Sequence, residues 1–228
     1  MDRAEIENKE NGILEDLNGH KNLLISFGGI RQGLGIPVFE FFNSIADIPC
    51  DKIFLRDFGQ AWYQKGVDSE INHIDKVIQF LRSKIEENQY DKVCFLGNSM
   101  GGYASILFGS LLNINIVIAF VPQTFINKFN RFIYRDKRWS RQINNIYNFK
   151  DKRPEYFDLK KHLKENNSYN TLIHVYYSPN ELLDKKHAER LRGLRNVQLH
   201  PIAEGGHSVV KVVRDSGKLK ELILKSYQ

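Results

Sequence analysis

Val93-Cys94-Phe95-Leu96-Gly97-Asn98-Ser99-Met100-Gly101-Gly102-Tyr103 runs four apolar residues straight into a Gly-Asn-Ser-Met-Gly turn. Beyond the turn, Tyr103, Ile106, Leu107 and Leu111 recur at helical spacing. The pattern is a strand, a sharp turn and a helix, with a serine at the turn. Side chains two positions before or after Ser99 would collide as the helix leaves the strand, and both positions, 97 and 101, are glycine. Such a turn lifts the Ser99 hydroxyl above the sheet. It also sets the Met100 backbone N–H at a helix N-terminus, where it can donate to a developing oxyanion. Gly-x-Ser-x-Gly alone is a common spacing; the strand before it and the helix after it are the context that makes Ser99 a candidate nucleophile. A Gly-rich turn that holds a phosphate, or nothing, is the competing reading.

The chain has 228 residues, enough for one sizeable core and one domain, 1–228. With 42% apolar and 26% charged residues it is a soluble globular protein by composition. Met1–Asn8 has no apolar run of the kind a secretory signal needs, and the run Ile116–Val121 is far too short to span a bilayer. Cys50 and Cys94 make neither a disulfide framework nor a metal-ligand pattern, so no metal and a reducing cytoplasm are expected. The net charge of +6 is local. Residues 123–168 hold 12 Lys/Arg and 5 Asp/Glu, a net of +7, which leaves −1 for everything else. That asymmetry points to a local anionic partner.

Read in order, Asn11-Gly12 suits a short hairpin turn or a frayed arm. Leu23–Phe27 is a buried strand ended by Gly28-Gly29, and Gly33 and Gly35 extend its loop. Pro37 opens a helix with Val38, Phe41, Phe42 and Ile45 on its apolar face. Ile53–Leu55 is the next strand. Asp68 or Ser69 caps a long helix carrying Ile71, Ile74, Val77, Ile78, Leu81 and Ile85. After the Ser99 turn comes the strand Ile114–Val121. Residues 123–168, with helical patches at Phe129–Ile133 and Leu159–Leu163, read as a basic, lid-like insertion across the sheet's carboxyl edge. The sheet resumes at Leu172–Tyr177, a helix follows with Ala188, Leu191 and Leu194, and the last strand is Val197–Ile202. A helical region closes the chain. Alternating strands and helices predict an α/β fold, its sheet mostly parallel and covered on both faces.

A serine hydroxyl needs a general base, and the base needs an orienting carboxylate. In a parallel sheet these lie just after strand ends. Of seven histidines, His20, His73, His162 and His187 fall in loops or helices and read as solvated, while His174 and His200 sit inside strands. His207 alone lies in a Gly-rich loop directly after the last strand, which makes it the candidate base. The acid belongs after Tyr176-Tyr177. Glu181 and Asp184 both qualify there. Asp184 has a ready structural job as N-cap of a helix from Lys185, so Glu181 is favoured with Asp184 kept open.

The order Ser99, Glu181, His207 resembles that of the α/β-hydrolase superfamily, over residues 21–228. Glu181 stands in a Tyr-Ser-x-x-Glu context similar to that family's Tyr-Gly-x-x-Asp. Phe27-Gly28-Gly29-Ile30 stands where the family has a His-Gly-Gly loop, which implies a second oxyanion donor from the Gly29 or Ile30 backbone N–H. The stretches Leu55–Tyr63 and Gly206–Leu219 resemble a bacterial subgroup associated with surface polysaccharides, capsule O-acetyltransferases among them.

The expected chemistry is therefore acyl transfer through an acyl-Ser99, with His207 as base, Glu181 as its acid, and Met100 with Gly29 or Ile30 as the oxyanion hole. Water as acceptor gives an esterase or thioesterase; a sugar hydroxyl gives an O-acetyltransferase. No cofactor is required, acetyl-CoA being a co-substrate in the second case. Trp62 and Tyr63 are candidates to shape an acyl or sugar pocket. Arg135 and Arg138, around Trp139, are candidates to hold an anionic polysaccharide or the phosphates of CoA. The alternative is a non-catalytic module that binds an anionic partner through the basic insertion. No nucleic-acid motif is present, a dehalogenase would need a carboxylate at position 99, and no dinucleotide fingerprint follows the first strand.

Overall fold

The computed structural model describes residues 11–30, 38–166 and 168–228. Seven strands form one sheet: β1 (Ile13–Asp16), β2 (Asn22–Phe27), β3 (Asp51–Leu55), β4 (Lys92–Asn98), β5 (Ile116–Phe120), β6 (Leu172–Tyr177) and β7 (Val197–Pro201). Among the described residues the α-helices are α1 (Ile74–Asn88), α2 (Met100–Leu112), α3 (Lys128–Ile133), α4 (Ser140–Tyr147), α5 (Leu159–Glu165), α6 (Leu182–Glu189), α7 (Val209–Asp215) and α8 (Lys218–Lys225). The strand order is β1-β3-β2-β4-β5-β6-β7, and every neighbouring pair is parallel except β1 with β3.

Successive strand residues point to opposite faces, yet β3 is buried along its whole length and β2 and β4 at all but their ends. Both faces of the central sheet are therefore covered, as a parallel sheet requires. The edge strand β7 has no buried residue. Phe27 on β2 packs edge-on against Phe95 of β4 and against Tyr63, and lies 5.6 Å from the ring of Phe108 on α2. From β2 the chain moves to β3 on one side and then crosses to β4 on the other. The carboxyl ends of β2 and β4 thus flank a topological switch point, the place where open α/β sheets hold ligands.

Several local expectations change. Ile13–Asp16 is an edge strand antiparallel to β3, with the Gly12 carbonyl accepting from Arg56 N–H at 2.9 Å, and makes no hairpin with β2. Gly33, Gly35 and Pro37 lie outside the described residues. The helix expected from Pro37 is, over 38–45, a run with one 3-10 turn at Phe42–Ser44. Val38 is exposed there while Phe39 is buried against Phe54, because the side chains follow the rings beneath them rather than a helical phase. Helix α1 begins at Ile74, with His73 as an uncapped N-cap. Asp68 instead accepts the Glu70 and Ile71 N–H groups and closes a turn ahead of it. Between β5 and β6 the expected helical patches appear as α3 and α5, and α4 was not anticipated.

Candidate active site

Ser99 sits between β4 and α2 with φ 55° and ψ −113°, a backbone that a serine adopts only under constraint. The constraint is visible: Ser99 N–H donates to the Phe120 carbonyl at 2.9 Å, and the Ser99 carbonyl accepts from Tyr103 and Gln123. A Cβ on Gly97 would stand 2.1 Å from the Gly101 carbonyl oxygen, and one on Gly101 would stand 2.0 Å from that of Phe27. Both glycines are needed for the approach of backbone to backbone. Met100 is the first residue of α2, and no side chain caps that helix.

His207 lies on a 3-10 turn, Gly206–Ser208, just past β7. Gly205 and Gly206 take φ of 86° and 52°, the left-handed region that a glycine enters without penalty, and so turn the imidazole over the sheet edge. Ser99 and His207 line one cavity of about 450 Å³, together with Gly29, Ile30, Glu40, Asn98 and Trp139. No hydrogen bond joins Ser99 to His207 among the described residues; such bonds are often loose until substrate arrives. A cavity of about 510 Å³ beside Phe58 and Lys65 contains neither residue.

The carboxylate that the structure brings to His207 is that of Asp184 and not that of Glu181. His207 Nδ1–H donates to Asp184 Oδ2 at 2.6 Å, which leaves Nε2 free to accept a proton. Glu181 is exposed, and its carboxylate makes no hydrogen bond or ion pair with the imidazole, although it borders an adjoining cavity with Arg138, Trp139 and His207. The reason is helical phase. Helix α6 begins at Leu182, with Glu181 itself as an uncapped N-cap. Asp184 is therefore inside the first turn, 1% exposed, with its carboxylate turned toward His207. Burial works to raise the Asp184 carboxyl, and the hydrogen bonds from His207 and Arg138 outweigh it, holding the group below its ordinary value.

Arg138 belongs to this array and is not free to hold a substrate anion. Its Nη1 donates to Asp184 Oδ1 at 2.8 Å, while Nε and Nη2 grip Asp136 at 3.1 and 3.0 Å. Asp136 in turn accepts from His187 Nε2–H at 3.0 Å. The tautomer follows from Thr124, whose backbone N–H donates to His187 Nδ1 at 2.9 Å. Burial depresses the His187 imidazole. Burial alone would raise Asp136, and His187 and Arg138 overcome it and hold it well below its ordinary value. His187, expected to be solvated, is 1% exposed and stacked 3.9 Å from Phe125. A continuous polar chain thus runs His187–Asp136–Arg138–Asp184–His207. The sequence offered one sign of it: His187 follows Asp184 by three positions on one helix, so the two share a face.

Glu40 is a second feature that the sequence did not announce. Its Oε2 accepts from Gly29 N–H and its Oε1 from Asn98 Nδ2–H, both at 2.9 Å. It thereby ties the loop after β2 to the residue before Ser99. The Gly29 N–H, expected as an oxyanion donor, is already committed to this carboxyl. Burial pushes Glu40 up to about 7, against the pull of Asn98, Gly29 and nearby His207. In the unfolded chain the group ionises near 4.5. Between those values the unfolded chain has lost the proton and the native chain keeps it, so rising pH favours unfolding. The penalty is complete above about pH 7 and amounts to at most about 3 kcal/mol. Glu40→Gln cannot ionise. Its melting temperature relative to wild type should therefore be higher at about pH 8 than at about pH 5. Calorimetry showing the same difference at both would mean the carboxyl is not held neutral.

Trp62 and Tyr63 do not line the cavity. Both are fully buried, in a loop wound round Asp57, whose Oδ2 accepts the Ala61 and Tyr63 N–H groups. Tyr63 O–H donates to the Gly28 carbonyl at 3.0 Å, bracing the loop that carries Gly29. Arg135 is exposed and borders neither cavity that holds His207. Trp139 does border both cavities, and its buried Nε1–H has no acceptor among the described residues. His162, also expected in solvent, is buried against Ser110 Oγ at 3.0 Å. Among the described residues no group of three or more His, Cys, Asp or Glu is placed to hold a metal ion, and no helix is long and apolar enough to cross a membrane.

No protein-family model matches the chain, and no curated protein matches it in sequence. Solved structures do match. The capsule O-acetyltransferase of Neisseria meningitidis serogroup A superposes with a TM-score of 0.68 at 18% identity, over 92% of this chain and 90% of that one. A histidine-to-alanine variant of that enzyme in complex with CoA gives 0.65 at 16% identity, over 95% and 98%. Acetyl xylan esterase 1 from a Thermoanaerobacterium species gives 0.60 at 14% identity, over 93% and 77%. The chain has an α/β-hydrolase fold.

Proposed function

We propose that this protein is a serine-dependent acyl-transfer enzyme, working either as an esterase or thioesterase or as an O-acetyltransferase to a carbohydrate hydroxyl. One observation carries the reading: an imidazole bound through Nδ1 to a buried carboxylate shares a cavity with a serine held at a strained strand-to-helix turn. In the proposed cycle Ser99 Oγ attacks the acyl carbonyl as its proton passes to His207 Nε2. Asp184 orients the ring and stabilises the imidazolium. Met100 N–H, at the start of α2, and Ile30 N–H receive the oxyanion; Gly29 is passed over because Glu40 holds it. The leaving group takes the proton from His207 and departs. Water or a sugar hydroxyl then gives a proton to His207 and attacks acyl-Ser99, and His207 returns that proton to Ser99 Oγ as the ester bond to the serine breaks.

The transferase branch draws support from the O-acetyltransferase likeness. We read 123–168 as an insertion of a single domain, reaching over the site through Arg138 and Trp139, and place the protein in a reducing compartment, where the buried thiols of Cys50 and Cys94 persist. The test compares p-nitrophenyl acetate and acetyl-CoA turnover with and without an acidic polysaccharide. Acetyl-CoA turnover that rises on adding the saccharide identifies a transferase, and acceptor-independent release an esterase. No release from either donor would overturn the reading.

Arg138 acts in this scheme as a positioning residue. Arg138→Gln should lower kcat/KM by roughly 10-fold. It should also move the acid limb of the pH profile upward, because Asp184 without its guanidinium partner stabilises the imidazolium more strongly. Arg138→Lys, which cannot span both carboxylates, should fall between the two. A lower melting temperature with an unmoved acid limb would reduce Arg138 to scaffolding.

A further inference from the structure

Helix α3 presents Phe129, Phe132 and Ile133 to solvent at 72%, 81% and 54% exposure. Their spacing puts them on one face of the helix. The other face is fastened down. The Asn127 side chain caps Asn130 N–H at 2.7 Å, and Asn130 Nδ2–H donates to Asp158, which Arg190 also grips. The apolar face is therefore held outward by a built anchor, and it is not a loosely packed end. Cations flank it along the chain. Lys128, Arg135, Lys137 and Arg141 are exposed, and the one acid between positions 128 and 141, Asp136, is buried beneath Arg138 and His187. A further exposed apolar side chain, Val38, lines the Ser99 cavity, and Trp139, within the same basic segment, lines it too.

We propose that the segment Lys128–Arg141 docks the protein on an anionic lipid bilayer, with the Phe129, Phe132 and Ile133 face entering the headgroup layer and the flanking cations on the lipid phosphates. Exposed rings on one helix face with Lys and Arg beside them are the makings of an interfacial anchor, and the absence of exposed acid in the segment removes the repulsion an anionic surface would meet. A second copy of the chain fits less well, because a two-fold contact through this face would set its cations against their own images. Nucleic acid fits less well because Ile133 offers no ring for a base to stack on. The docking stands independently of the acyl-transfer reading; if both hold, it presents the Ser99 cavity to an ester or saccharide carried at a bilayer surface.

The test is co-sedimentation of the full chain with vesicles of phosphatidylcholine alone and of phosphatidylcholine with roughly one-third phosphatidylglycerol. Wild type should sediment with the anionic vesicles, weakly with the neutral ones, and less as salt rises. Phe129→Ser with Phe132→Ser, and separately Arg135→Gln with Lys137→Gln, should each lower partitioning at least about 10-fold. These side chains are exposed, so both variants should keep the wild-type melting temperature. Absence of binding to anionic vesicles at low salt would overturn the proposal, as would binding that both double variants retain. A dimer in gel filtration that Phe129→Ser with Phe132→Ser dissolves, without vesicle binding, would assign the face to a second copy instead. Salt-sensitive DNA binding without vesicle binding would assign it to nucleic acid.

Discussion

Ser99→Ala is expected to cut acyl release from p-nitrophenyl acetate or acetyl-CoA by at least about 10³-fold, and His207→Ala by a similar factor. The two losses should not add, because nucleophile and base act in one proton transfer. The Ser99 side chain contributes no hydrogen bond to the fold among the described residues; the bonds that hold the turn are made by its backbone. The alanine variant should consequently fold with a melting temperature close to wild type, so the loss reads chemistry and not stability. Removing the positive-φ strain is not an issue, since alanine takes the same backbone at about the same cost. Equal rates for wild type and both variants would mean that the strained turn has no catalytic use.

Asp184→Asn is expected to lower kcat by about 10²- to 10⁴-fold, while Glu181→Gln stays within a few-fold of wild type. The asparagine keeps the shape of the site and changes what it offers His207. Its amide nitrogen can face Nδ1 only as a donor, which drives the imidazole to the tautomer with the proton on Nε2 and leaves no base for Ser99. Its neutral oxygen also gives Arg138 a poorer partner. Glu181 loses only a solvated charge at the rim of the site. Steady-state kinetics on the two variants, with melting temperatures to show that both fold, separates the assignments. A severe loss in Glu181→Gln beside a healthy Asp184→Asn would restore the sequence-based choice and require the α6 turn to rearrange during turnover.

The choice between those two carboxylates shows where the sequence stops informing. The Ser99 turn could be read because its requirements are local: Gly97 and Gly101 are dictated by atoms within the same strand–turn–helix. His207 could be read for the same reason, since Gly205 and Gly206 supply the backbone that turns it over the sheet. The carboxylate that reaches His207 could not, because it depended on the phase of α6. Starting the helix three residues too late gave Asp184 a capping role, whereas a start at Leu182 aims it at the imidazole. The burial of Trp62 and Tyr63 was hidden for another reason: an aromatic pair after a strand is compatible with a pocket wall, and only the buried Asp57 at the centre of their loop reveals why they point inward. Glu40, Asp136 and Arg138 reach their partners across 11 to 58 positions in all but one pairing, and such contacts leave no periodic trace. The parallel sheet was legible from alternation alone, and the antiparallel edge strand β1 was not, because four residues beside a turn signal do not say which neighbour they will pair with.

In the proposed cycle Ser99 carries the acyl group between donor and acceptor. Mass spectrometry of the protein quenched in acid during turnover of p-nitrophenyl acetate tests it directly. One added acetyl group is expected, on the peptide containing Ser99, in wild type and not in His207→Ala. Turnover with that peptide unmodified, or with the acetyl group lodged on another residue, would contradict it.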